Sequence, residues 1–127
     1  MFLEPLVRDK KDDTPHTIFD AQQGIFELAG RSLPEDATHF YEPIVAWLAK
    51  YAEMPNPNSE FVFRFEYYNT ATSRTLIRLF DEIAKIPEAT VIWYYDPADA
   101  EEEGEIDEVA QDLSMLSGIP FDFRPIE

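Results

Sequence analysis

Apolar side chains alternate with polar ones through Phe61, Phe63, Phe65 and Tyr67, the period-two pattern of a strand with one buried face. Past Asn69 the period changes. Leu76, Ile77, Leu79, Phe80 and Ile83 recur at helical intervals, and Pro87 closes that helix. Between the two periods lies Asn69-Thr70-Ala71-Thr72-Ser73, a run of small hydroxyl and amide residues. Such residues cap helix N-termini by accepting hydrogen bonds from free backbone N–H groups. The stretch predicts a strand, a tight polar turn and a helix start, and the turn is the candidate working site.

The rest of the chain falls into similar units. Residues 1–13 are mixed and charged and read as a loose lead-in to a single domain over 14–127. His16 to Asp20 predicts a strand, Ala21 to Gly24 a hairpin turn, and Ile25 to Ala29 a return strand. Gly30 to Pro34 breaks the pattern, with Gly30 supporting a turn. Asp36 or Thr38 then caps a helix whose stripe is Phe40, Tyr41, Ile44, Val45, Leu48, Tyr51 and Ala52. Pro43 is tolerated only in a first turn, which places the regular helix start at Phe40 to Glu42. Val91 to Tyr95 is apolar at nearly every position and predicts a central strand. A last helix runs from Asp96-Pro97, with Ile106, Val109, Ala110, Leu113 and Leu116 as its core stripe, and Phe121 to Phe123 forms a final strand. Strand–helix alternation after a hairpin predicts an α/β domain. Its sheet is mixed but mostly parallel, with an antiparallel N-terminal edge and helices mainly on one face.

Composition narrows the chemistry. The 127 residues carry 26 acidic and 10 basic side chains, a formal charge of −16. A field of that sign disfavours nucleic acid and anionic membranes as partners and suits solubility or a basic protein surface. There is no cysteine, and hence neither a disulfide nor a thiolate metal site. Met1 to Val7 is too short for a signal sequence, and no run reaches the length of a membrane span, so a cytoplasmic location is expected. His16 and His39 are the only histidines, too few for a histidine metal cluster or a Ser-His-Asp relay, and the four glycines form no phosphate loop.

Two features keep alternative readings open. Asp96, Asp99, Glu101, Glu102, Glu103, Glu105, Asp107 and Glu108 form an acidic run. It reads first as a solvated helix face, then as a docking surface for a basic partner. A metal-dependent hydrolase working through Asp99 and Glu102, or an acidic decoy of a basic surface, are the rival functions. Tyr67, Tyr68, Trp93, Tyr94 and Tyr95 lie on two strands expected to be neighbours, and Tyr68 and Tyr94 are expected among the residues of an exposed aromatic patch. On the turn itself, Asn69 and Thr70 serve as a helix cap by residue chemistry alone. An anion on Thr70 would also be favoured there by the helix end, with Arg74 and Arg78 one and two turns on.

Several blocks together resemble the SiaC-type regulatory phosphoproteins, also described as DUF1987, with a STAS-like fold. They are Thr14-Pro15 with Phe19-Asp20, Gly30-Arg31-Ser32-Leu33-Pro34-Glu35, Phe40-Tyr41-Glu42-Pro43-Ile44 with Trp47-Leu48 and Tyr51, Trp93-Tyr94-Tyr95, Gly104-Glu105 and Ile119-Pro120-Phe121. The most telling is Tyr67-Tyr68-Asn69-Thr70-Ala71-Thr72-Ser73-Arg74, which is similar to the family's Asn-Thr-Ser-Ser turn. The resemblance implies a non-enzymatic switch without cofactor or metal. Its turn threonine is phosphorylated by a partner kinase and dephosphorylated by a PP2C-type phosphatase. The unmodified form activates a diguanylate cyclase, in cyclic-di-GMP signalling and biofilm behaviour. The matching position is Thr70, with Thr72 and Ser73 as secondary hydroxyls, and Ala71 stands where the family has its first serine. Tyr68, Asn69, Thr70, Ala71, Thr72, Ser73, Arg74 and Arg78 are the expected partner surface.

Overall fold

A computed structural model describes residues 3–95 and 108–126. Among these residues six strands form one sheet in the order β1-β2-β3-β4-β5-β6: Leu6–Arg8, His16–Asp20, Ile25–Ser32, Ser59–Tyr68, Ala89–Tyr95 and Phe121–Pro125. The first three are antiparallel and the last three continue parallel to β3. Each parallel step is bridged by a helix: α1 (Ala37–Tyr51), α2 (Thr70–Ile83) and α3 (Glu108–Ser117). The strands are added in one direction across the sheet. Right-handed crossovers therefore bring all three helices to the same face. The α/β class and the mixed sheet with its antiparallel N-terminal edge match the sequence-based expectation.

The core lies between that face and the helices. Phe19, Phe26, Leu28, Phe61, Phe63, Val91 and Trp93 point inward from the strands. Tyr41, Ile44, Leu48, Leu76, Leu79, Phe80, Ala110 and Leu113 meet them from the helices. The opposite sheet face is more open. There the Arg64 guanidinium stacks 4.0 Å over the Tyr94 ring, and its Nε lies 3.5 Å from the Glu27 carboxylate.

Four details at the ends of strands and helices depart from the sequence reading. Within the expected lead-in, Leu6–Arg8 pairs with β2 as an edge strand. It is tied to α1 by Arg8 Nη1 donating to the Phe40 carbonyl at 2.7 Å and Trp47 Nε1 donating to the Glu4 carbonyl at 2.7 Å. Secondly, α1 begins at Ala37, so Pro43 lies inside the helix rather than in its first turn. Pro43 is exposed, where its ring displaces no core packing. Thirdly, Gly30 to Ser32 continues β3 instead of turning. Lastly, Leu116, expected in the α3 core stripe, is 77% exposed while Ala110 and Leu113 are buried. The start of α3 at Asp96-Pro97, the acidic run before Glu108, and Ile106 lie outside the described residues.

The extension of β3 contains a register shift that matters for the site. Gly30 pairs with Phe65 and Arg31 with Tyr67, leaving Glu66 as an extra residue. A bulge of this kind reverses which side chains face inward beyond it. Tyr68 is consequently half-buried, 5.5 Å from Phe65 and 6.1 Å from Trp93 between ring centroids, while Tyr67 is 59% exposed. This corrects both the inward placement of Tyr67 and the exposed aromatic patch: Tyr68 packs on the core, and Tyr94 is half-buried beneath Arg64. Gly30 adopts φ 120°, a conformation side-chain-bearing residues rarely take, and the Lys10 side chain lies across it. Lys10 Nζ then reaches the Glu66 carboxylate at 2.8 Å, so one lysine spans both strands of the bulge.

Candidate functional site

At the end of β4 the chain leaves the sheet at Tyr68 and enters α2 within two residues. Asn69 is the N-cap. Its backbone is extended, and its Oδ1 accepts from the Thr72 N–H at 2.8 Å. This satisfies one of the free donors at a helix start, a contribution of about 1 kcal/mol. The Asn69 N–H donates to the Ser32 carbonyl at 3.2 Å, so the cap is held against the end of β3.

Three hydroxyls beneath the cap form a buried chain. Thr72 Oγ1 donates to the Ser32 carbonyl at 3.1 Å and lies 2.9 Å from Ser32 Oγ, which lies 2.6 Å from Tyr41 Oη. A carbonyl only accepts, so the Thr72 proton goes to it. The Ser32 proton then goes to Thr72, and the Tyr41 proton to Ser32. In that direction every donor is used, which a buried polar cluster requires. Burial pushes the Tyr41 phenol far above its ordinary range, against the opposing effects of the Ser32 hydrogen bond and the nearby Arg8 charge, and it stays protonated as the head donor. One serine at the end of β3 thereby joins α1 and the start of α2.

The hydroxyls of the turn therefore differ in kind. Thr72 is fully buried and has its proton engaged, which separates it from Thr70 despite their closeness in sequence. Thr70 is the first residue of α2 and is exposed. Ser73 is half-buried and donates to the Thr70 carbonyl at 2.8 Å. Ala71, Arg74 and Arg78 are exposed, and with Thr70 they share the outer side of α2. Tyr68 and Asn69 are half-buried below them. The candidate residues thus divide into an outer group of Thr70, Ala71, Arg74 and Arg78 and an inner group led by Thr72.

Ser32 and Tyr41 were absent from the sequence-derived site. The signal for Tyr41, as for Tyr51, is a tyrosine within a mostly apolar helix stripe, since a buried phenol needs a partner. Ser32 offered none, because its role depends on a strand longer than the pattern suggested. Asp36 repeats the same capping device at α1, its carboxylate accepting from the His39 N–H at 3.0 Å, and α1 and α2 start beyond the C-terminal ends of the neighbouring strands β3 and β4. Among the described residues no group of three or more His, Asp or Glu side chains comes together to hold a metal ion. The acidic residues Asp99 and Glu102 lie outside the described residues. No described helix is long and apolar enough to cross a membrane.

Fold and site together define a small α/β domain with an exposed hydroxyl, that of Thr70, at a capped helix start. Residues 8–126 match the model of the SiaC family regulatory phosphoproteins, and the chain belongs to that family. It is accordingly a regulator rather than an enzyme. No curated protein matches it in sequence. Among solved structures it is similar to apo-SiaC from Pseudomonas aeruginosa, at 19% identity and a TM-score of 0.83, covering 96% of this chain and 99% of that one. It is also similar to SiaC in the crystal structure of the P. aeruginosa diguanylate cyclase SiaD with its activator SiaC, at 20% identity and a TM-score of 0.81, covering 95% of this chain and 99% of that one. At these identities the likeness shows a shared fold.

Proposed function

We propose that this protein is a reversible switch whose state is set by phosphorylation of Thr70. A partner kinase adds the phosphate and a PP2C-type phosphatase removes it. The unmodified form engages an effector of the diguanylate cyclase class, as P. aeruginosa SiaC does with SiaD, and the exchange takes place in the cytoplasm. The observation that carries the reading is the exposure of Thr70 beside the buried, fully bonded Thr72. Of the threonines in the turn, Thr70 is the one a kinase can reach without opening the helix start.

The switching chemistry is electrostatic. A phosphate adds about −1.5 to −2 charges at neutral pH, placed at a helix N-terminus that favours an anion by roughly 0.3–1 kcal/mol. Modification therefore leaves α2 folded and changes what its outer side can meet. A few kcal/mol of differential binding moves effector occupancy by orders of magnitude. Intact-mass analysis and phosphosite mapping of protein purified from its native host test the first step. Phosphate at Thr70 is the expected result, and modified protein carrying phosphate only elsewhere sinks the reading. Pull-down of the cyclase with Thr70→Ala and Thr70→Asp tests the second, with recovery expected from the alanine variant alone.

A further inference from the structure

In a strongly acidic chain, the outer side of the first three turns of α2 carries no carboxylate; the nearest on that side, Asp81, follows in the last turn. Acidic residues occur about once in five positions along the chain (26 of 127), yet none falls between Tyr67 and Phe80. The exposed residues of α2 up to its third turn are Thr70, Ala71, Arg74, Ile77 and Arg78. Thr70, Arg74 and Arg78 follow one another at one-turn intervals, a rise of about 6 Å each. Ile77 lies beside them, 46% exposed despite its apolar side chain. Among the described residues the ion pairs are Lys10–Glu66, Arg64–Glu27, Lys85–Glu82 and Arg124–Asp122. Arg74 and Arg78 enter none of them, although carboxylates outnumber cations by more than two to one.

We infer that this stripe is a docking surface for an acidic amphipathic helix of the partner. Its carboxylates pair with Arg74 and Arg78, and an apolar residue between them covers Ile77. Helix ridges pack along one another, and a ridge with two cations one turn apart matches carboxylates at the same spacing. This partner is opposite in sign to the basic one that the overall charge suggests. The inference rests on the phosphothreonine reading for its regulatory consequence. A phosphate on Thr70 lies four residues before Arg74, within reach for pairing. Its charge of about −1.5 to −2 offsets the two arginines. The phosphate thus takes the place of the partner's carboxylates.

The test uses the full chain, isotopically labelled for amide NMR. The probe is a synthetic amphipathic helix bearing leucines on one side flanked by glutamates, compared with a control in which every glutamate is lysine. The expected result is saturable shifts confined to residues around 70–78 with the acidic peptide and none with the basic one. Arg74→Glu with Arg78→Glu should weaken binding by about tenfold or more, as should raising salt to levels that screen exposed pairs. Lys50→Glu, in the last turn of α1, should leave it unchanged. Thr70→Glu should weaken binding several-fold. Absence of binding, equal binding of both peptides, shifts mapping elsewhere, or indifference to the double reversal each overturns the inference. Folding of the variants is read from unmoved core amides. The titration needs no phosphorylated protein, so a Thr70 that never carries phosphate defeats the switch reading while leaving this surface standing, and the converse holds equally.

Discussion

The two sides of α2 share fourteen residues of one helix and follow opposite rules. Inward, Thr72, Thr75, Leu76, Leu79, Phe80 and Ile83 are buried, and the Thr72 hydroxyl is committed to a partner. Outward, Thr70, Arg74 and Arg78 are exposed, with neither arginine in an ion pair among the described residues. Two threonines two positions apart therefore have different work: one fixes the helix against Ser32, and the other leaves a hydroxyl outside. A regulator needs this separation, because a modification that also loosened its own scaffold would act by unfolding rather than by changing a surface.

Substitutions can test how complete that separation is. The largest loss of stability is expected from Leu79→Ala, which empties a fully buried site and should cost about 2–5 kcal/mol in urea denaturation. Ser32→Ala removes the centre of the hydroxyl chain, leaving the Tyr41 and Thr72 hydroxyls short of a partner, and should cost about 1–3 kcal/mol.

Tyr41→Phe probes the same chain through pH. The folded phenol titrates above its ordinary value of 10.0. The stability gained by keeping it protonated is fully present below pH 10 and is lost as pH rises beyond that towards the folded value. Urea midpoints of wild type and Tyr41→Phe should therefore hold a constant gap below pH 10 and converge as pH rises above it; a gap that stays constant there would show that the phenol is not held protonated. Smallest of all, Thr70→Ala and Arg78→Ala should shift stability by no more than about 0.5 kcal/mol. A loss comparable to that of Ser32→Ala would show that the two sides are not independent.

The fold was legible because its signals are periodic. Alternation in β4, the helical stripe of α2 and the apolar run of β5 each announced an element, and their order defined the class. The turn was legible because Asn69 is a cap by residue type. The inner side of the site was not, since a hydrophobic pattern treats Thr72 and Thr75 as polar letters although both are buried. Their membership shows only in their spacing from Leu76 and Leu79. The fate of Tyr67 and Tyr68 was hidden too, because one extra residue opposite Gly30 inverts the alternation without changing its composition. Pro43 misled because its exposed position makes a mid-helix proline tolerable.

That extra residue also makes strand length part of the site's specification. Connecting segments usually absorb insertions and deletions, but Glu66 lies two positions before Tyr68 and three before the cap. Removing it would bring the end of β4 back into phase with β3. Tyr68 would turn away from Trp93, and Asn69 would no longer arrive beside the Ser32 carbonyl. The bulge acts as a spacer of one residue, and the position of the threonine that faces outward is counted from it.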